Sequence, residues 1–141
     1  MMTGATVSWC GQPRRVIKSN HIYSMEFENI PFQTVNWDNI PKTSHPGTTG
    51  TAWWQTIQFK GLRVRVVEYS KGYLADHWCR KGHIVYCLEG EFTTELKNGE
   101  SFRLAKGTSY IVSDELSSHR SVTESRVTLL IVDGDFLKNI S

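Results

Sequence analysis

The chain has 141 residues, with 16 Lys+Arg against 14 Asp+Glu and a formal net charge of +2. That length suits one domain whose core stands without disulfides, and the small charge, with no dense Lys/Arg run, excludes a nucleic-acid surface. Three cysteines, Cys10, Cys79 and Cys87, fall at spacings that suggest no disulfide framework, which fits a reducing compartment.

Residues 1–24 carry Arg14, Arg15 and Lys18 and no acid, so the remainder of the chain is close to neutral. This stretch shows no sustained period of 2 or 3.6 and lacks the apolar core of a signal peptide. It reads as a flexible or non-domain leader ahead of a domain over 25–141. A weak organelle-targeting segment is the lesser reading. No apolar run is long enough to span a membrane, and a cytoplasmic protein with no membrane or nucleic-acid partner is expected.

Residues 27–35 include Ile30-Pro31-Phe32 and read as an extended edge segment, since proline cannot donate to a central ladder. Residues 36–50 are rich in turn formers and long for a plain connection, so a loop laid over a site is expected. From Thr51 the pattern is β. Residues 52–59 and 62–69 are joined by Lys60-Gly61 as a hairpin. In its second arm Leu62, Val64 and Val66 alternate with Arg63 and Arg65. The arginines are expected on a solvated outer face, in preference to an interior where they would bind a carboxylate or phosphate.

Residues 72–90 carry the chemistry, as a strand, a glycine turn and a second strand. His77 and Cys79, at i and i+2, leave the same face of an extended chain and reach one ion. Gly82 permits the backbone to turn and bring His83 back toward them. Beyond this stretch, 91–96 and 101–105 flank an Asn98-Gly99 turn, Lys106-Gly107 turns again, and 108–112 form another strand. Residues 113–118 are a polar loop, 121–123 and 126–132 the last strands, and a short capping turn or helix follows Gly134. Many short strands with regular turns and no long amphipathic helix predict an all-β sandwich or barrel.

The spacing Gly72-x4-His77-x-Cys79-x3-His83-x6-Gly90 resembles the first cupin motif, Gly-x5-His-x-His-x(3 or 4)-Glu-x6-Gly. Cys79 takes the second histidine position and His83 the glutamate position. Gly107-x5-Ser113-x-Glu115-x3-His119-x3-Thr123 resembles the second motif, Gly-x5-Pro-x-Gly-x2-His-x3-Asn, with one extra residue in the loop. The run Asp76-His77-Trp78-Cys79, with His45-Pro46-Gly47-Thr48-Thr49-Gly50 before it, is similar to the small single-domain DHCW-motif cupins over 31–133. The resemblance implies a cupin double-stranded β-helix, a jelly-roll barrel with a metal at one mouth, often as a homodimer. It implies the metal set His77, Cys79, His83 and His119, the last through the second motif. It implies no reaction.

Three imidazoles and a thiolate carry the same single negative charge as three imidazoles and a carboxylate, so neutralisation of a divalent ion is preserved. The softer set favours zinc first, with iron or nickel next, over manganese and magnesium. Four ligands fit a closed structural zinc site or a site with positions open to substrate. Beside this set the plain readings are a surface or core role for His21 and His45, and a small buried residue for Cys87. Asp76 and Trp78 have opposite parity to the ligands and point away from the metal. Trp53, Trp54, Tyr86 and Tyr110 are expected in core packing, with a pocket wall as the lesser role.

No phosphate loop, dinucleotide fingerprint or serine-nucleophile elbow is present. The expected function is a small metal-binding cupin acting as a metal-dependent enzyme on a small-molecule substrate, of isomerase or dioxygenase type. His45 or Tyr86 would supply the acid or base. The alternatives are a non-catalytic, metal-stabilised binding or sensor domain, and a redox role for Cys79 as a thiolate exposed by metal loss.

Overall fold

The computed structural model describes residues 27–140. The leader expected over 1–24, with Cys10 and His21, lies outside the described residues. Residues 27–35 pair with no strand among the described residues and run exposed along the surface. Proline prevented a central strand there, as expected, but no edge ladder formed either. A 3-10 turn, Trp37–Asn39, follows, with the Asn36 side chain accepting from Asp38 N–H at 3.1 Å. The turn is tied down by buried Gln55, whose amide donates to Trp37 O at 2.6 Å and Ile40 O at 3.0 Å.

The strands are β1 (Thr43–Pro46), β2 (Thr51–Phe59), β3 (Leu62–Tyr69), β4 (His83–Glu89), β5 (Glu91–Leu96), β6 (Ser101–Ala105), β7 (Ser109–Val112), β8 (His119–Val122) and β9 (Val127–Gly134). They form a six-stranded sheet in the order β1-β2-β3-β9-β4-β7 and a three-stranded sheet in the order β6-β5-β8. Every ladder is antiparallel. The loop expected over 36–50 thus contributes an edge strand. A second 3-10 turn, Asp135–Leu137, follows β9 as the capping turn anticipated after Gly134.

Side chains alternate between the two faces of each strand. On β3 the buried set is Arg63, Arg65, Val67 and Tyr69; on β9 it is Val127, Leu129, Ile131 and Asp133; on β4 it is His83, Val85 and Cys87. Phe92 of β5 and Leu104 of β6 meet this face from the smaller sheet and complete one apolar core. The interior is therefore graded along the strands. Val67, Val127, Leu129 and Cys87 fill the apolar part, and Arg63, Arg65, His83 and Asp133 are the buried charges and polar groups beyond it.

The two arginines overturn the expectation of a solvated face. Arg63 is 3% exposed and Arg65 2%. Leu62, Val64 and Val66 take the outer face, and Asp133 provides the buried counter-charge that lets guanidinium groups replace apolar residues inside.

Candidate metal centre

The stretch 72–82 is not a regular strand. It makes isolated bridges at Leu74 and Cys79 and bends at Asp76 and His77. Cys79 bridges to His119, the first residue of β8: Cys79 N–H donates to His119 O at 2.7 Å, and His119 N–H returns to Cys79 O at 2.9 Å. Directly opposed residues of an antiparallel pair project to the same side, so backbone pairing sets thiol and imidazole together. His83 enters at the start of β4, with Nε2 3.3 Å from Cys79 Sγ.

Gly82 serves that placement by close approach rather than by a turn. A Cβ there would lie 2.6 Å from both Val112 O and Asp114 N. Gly82 N–H donates to Asp114 Oδ1 at 2.7 Å, and buried Lys81 reaches Asp114 Oδ2 at 3.3 Å. Asp114 thereby clamps the loop carrying Cys79 and His83 to the chain beyond β7.

Cys79, His83 and His119 are all buried, with ligand atoms within 4.8 Å of one another. A tetrahedral zinc with ordinary Zn–S and Zn–N bonds separates its sulfur and nitrogen donors by about 3.6 Å, close to the Cys79–His83 spacing. Both imidazoles are oriented from behind. His83 Nδ1 lies 2.8 Å from Asp133 Oδ2 and His119 Nδ1 2.8 Å from Ser117 Oγ. That pattern leaves Nε2 of each ring as the atom suited to a metal, as outer hydrogen bonds do in metal sites. The donor set and its supports fit a divalent transition metal.

Asp133 is the hub of this support. Arg63 grips it through two nitrogens, Nε to Oδ1 at 2.9 Å and Nη2 to Oδ2 at 3.0 Å, and Arg65 Nη2 adds a third contact at 3.0 Å. Burial by itself would raise its pKa, but the His83 hydrogen bond and the two guanidiniums prevail and hold it well below the usual carboxylate range.

His77, expected as a ligand with Cys79, stands outside the three-residue group. The bend breaks the extended geometry on which the i, i+2 argument depends. Its Nδ1 is bonded to Asp76 Oδ1 at 2.6 Å, and its half-exposed ring lines the same cavity as the other three. That cavity measures about 70 Å³ and is walled also by Trp54, Arg65, Tyr110 and Arg120. Trp54 and Tyr110 are therefore pocket wall as well as packing. Trp78 does not line the cavity and lies under the Arg120 guanidinium, 4.4 Å from the ring centre. Cys87 is fully buried in the apolar core, as expected. Tyr86 is 41% exposed on the outer face of β4, which removes it as acid or base. His45 stacks on Trp54 with centroids 3.8 Å apart. Burial, then Arg65 and Arg63, lower its pKa against a smaller opposing pull from Asp76.

Sequence reading missed Asp133 as part of the site, and held the interior position of Arg65 and the pocket-wall role of Tyr110 only as lesser readings. Asp133 falls just past the strand expected over 126–132. Its parity with Val127, Leu129 and Ile131 was the available signal that it points inward.

No protein-family model matches the sequence, and no curated protein matches it. Solved structures do match. A predicted oxalate decarboxylase from Thermotoga maritima aligns with TM-score 0.63 at 14% identity, over 73% of this chain and 100% of its own. The polyketide cyclase RemF from Streptomyces resistomycificus aligns with TM-score 0.61 at 18% identity, over 74% of this chain and 80% of its own. A sugar phosphate isomerase from a cupin superfamily, from Silicibacter pomeroyi, gives TM-score 0.59 at 14% identity, over 73% and 76%. The chain has the cupin fold. The fold expected from the strand pattern and the motif resemblance is thereby shown, and identities this low show no more than the fold.

Proposed function

We propose that this cupin-fold protein, of the DHCW-motif kind, holds one divalent metal through Cys79, His83 and His119 and acts as a metal-dependent enzyme on a small molecule. One observation carries the proposal. Two buried imidazoles, each fixed from behind at Nδ1, converge with a buried thiol at ligand spacing in the wall of a cavity. Zinc is the first expectation for this soft set, with iron or nickel next. Three protein ligands leave a position for substrate or water, the arrangement of catalytic rather than structural sites.

When bound, such an ion supplies Lewis-acid polarisation of a substrate oxygen or a lowered pKa of bound water. The chain's residues do the rest. Asp133 keeps the His83 proton on Nδ1, so the Nε2 lone pair faces the centre. The backbone bridge between Cys79 and His119 keeps their side chains adjacent. His77, with Nδ1 held by Asp76, presents Nε2 as a proton donor or acceptor at the cavity and is the proposed acid or base, replacing Tyr86. His77 joins the metal set expected from the sequence only by bringing Nε2 to the other three ligand atoms, a movement the Asp76 bond at Nδ1 does not forbid. A cavity of about 70 Å³ admits a substrate fragment of only a few heavy atoms beside the ion.

Structures of this fold are named for a decarboxylase, a cyclase and an isomerase. They support small-molecule chemistry; an isomerase- or dioxygenase-type reaction is our narrower proposal, with iron selecting the latter. Elemental analysis of protein purified without chelator or metal-binding tag tests the reading. Close to one metal per chain is expected, falling at least several-fold in Cys79→Ser and in His83→Ala. No metal in the parent protein, or unchanged stoichiometry in both variants, overturns it. We further expect a homodimer, read by sedimentation as twice the chain mass.

A further inference from the structure

Arg65 is more deeply committed to the cavity than a structural ion pair requires. It is 2% exposed, yet its Nε is buried without a hydrogen-bond partner, and an unmade bond on a buried charged group is costly. Its guanidinium lies 4.3 Å from the Trp54 ring centre, which fixes the plane of the donor fork. The carboxylate it touches is already gripped by Arg63 through two nitrogens. Both buried guanidiniums thus draw on the Asp133 carboxylate. Asp76 is bonded to His77 and Glu95 to Arg120, and both His77 and Arg120 line the cavity. A divalent metal on one thiolate would add a further positive charge to the same wall. Burying uncompensated charge is unfavourable unless a counter-ion enters.

We infer that the cavity binds a small carboxylate anion, anchored by Arg65 beside the metal centre. The inference deepens the proposed function and rests on it for the chemistry that follows binding, but the anchoring itself requires only Arg65 and the cavity. A planar carboxylate suits the guanidinium fork, which pairs with two coplanar oxygens. The small volume fits a carboxylate on a short chain. The depressed pKa of His45, to which Arg65 and Arg63 contribute after burial, agrees with an electropositive environment here.

The test uses the full chain with acetate, acetamide and inorganic phosphate as probes in titration calorimetry, once with zinc loaded to one per chain and once after chelation. Acetate is expected to bind saturably, with Kd on the order of 0.1–1 mM for so few atoms. Acetamide should not bind. Arg65→Gln should weaken acetate at least tenfold while zinc stoichiometry stays at one, since Arg63 remains to neutralise Asp133. Acetate binding in both preparations, with no stoichiometric zinc uptake, upholds the anion site while removing the metal reading. Stoichiometric zinc without acetate binding does the reverse. Preference for phosphate, equal binding of acetamide, or undiminished binding by Arg65→Gln overturns the inference. Should that variant not fold, the Arg65 Nε–H resonance of the parent protein decides: a shift on saturation with acetate supports the site, and an unmoved resonance overturns it.

Discussion

Asp133 joins more of this protein's parts than any cysteine or histidine does. It neutralises one of two inward arginines, orients His83, and makes a charged interior tolerable. Asp133→Asn leaves both guanidiniums without their carboxylate and should cost about 3–5 kcal/mol, measured by urea denaturation. The pH dependence has a definite sign. The folded pKa is depressed, so on acidification the unfolded chain takes up this proton first, near pH 3.9. Stability from this group is therefore complete above about pH 4–5 and lost below it. Melting curves between pH 7 and pH 3 should show the fall, and it should be smaller in Asp133→Asn. The sequence left Asp133 just past the last expected strand without a role, because the partners that bury it are 70 residues away for Arg63 and 50 for His83.

The loop between β7 and β8 shows how motif positions translate into backbone geometry. Glu115 occupies the place where the second cupin motif has glycine, and it adopts φ 67°, the only positive φ of a non-glycine residue among those described. Its N–H donates to Arg80 O at 2.9 Å, tying this loop to the one that bears Cys79. Left-handed backbone costs a residue with a Cβ about 1–2 kcal/mol, whereas the exposed Arg80–Glu115 ion pair contributes little. Glu115→Gly should therefore raise stability by about 0.5–1 kcal/mol, part of the relief being offset by the entropy of glycine in the unfolded chain. Thermal denaturation checks it; a loss of stability would show that the ion pair outweighs the backbone relief. The departure from the motif was legible in the sequence. That the conformation persists without the glycine was not, because it depends on the tie to Arg80.

Taken together, the two sheets keep an apolar core of Val67, Val85, Leu129 and Phe92 that owes nothing to the ligands. The candidate metal centre lies at the polar part of this interior, with His83 on β4 and His119 on β8. Chelation should accordingly lower the melting temperature without unfolding the chain: ligand linkage at a hundred times Kd is worth only about 2.7 kcal/mol. Circular dichroism with and without chelator reads this, and complete unfolding would assign the ion to a structural, closed site instead. No helix among the described residues is long and apolar enough to cross a membrane. Local patterns in the chain were enough for most strands, the turns at Lys60-Gly61 and Asn98-Gly99, and the nomination of Cys79 and His83 beside His77, since alternation and turn chemistry act over a few residues; His119 entered only through the motif resemblance. Which face of β3 is interior, whether His77 stays beside Cys79, and how Arg65 comes to wall a cavity were decided by tertiary packing. Each depends on whether a distant strand supplies a counter-charge, a bend or a bridge, and no short-range pattern encodes that.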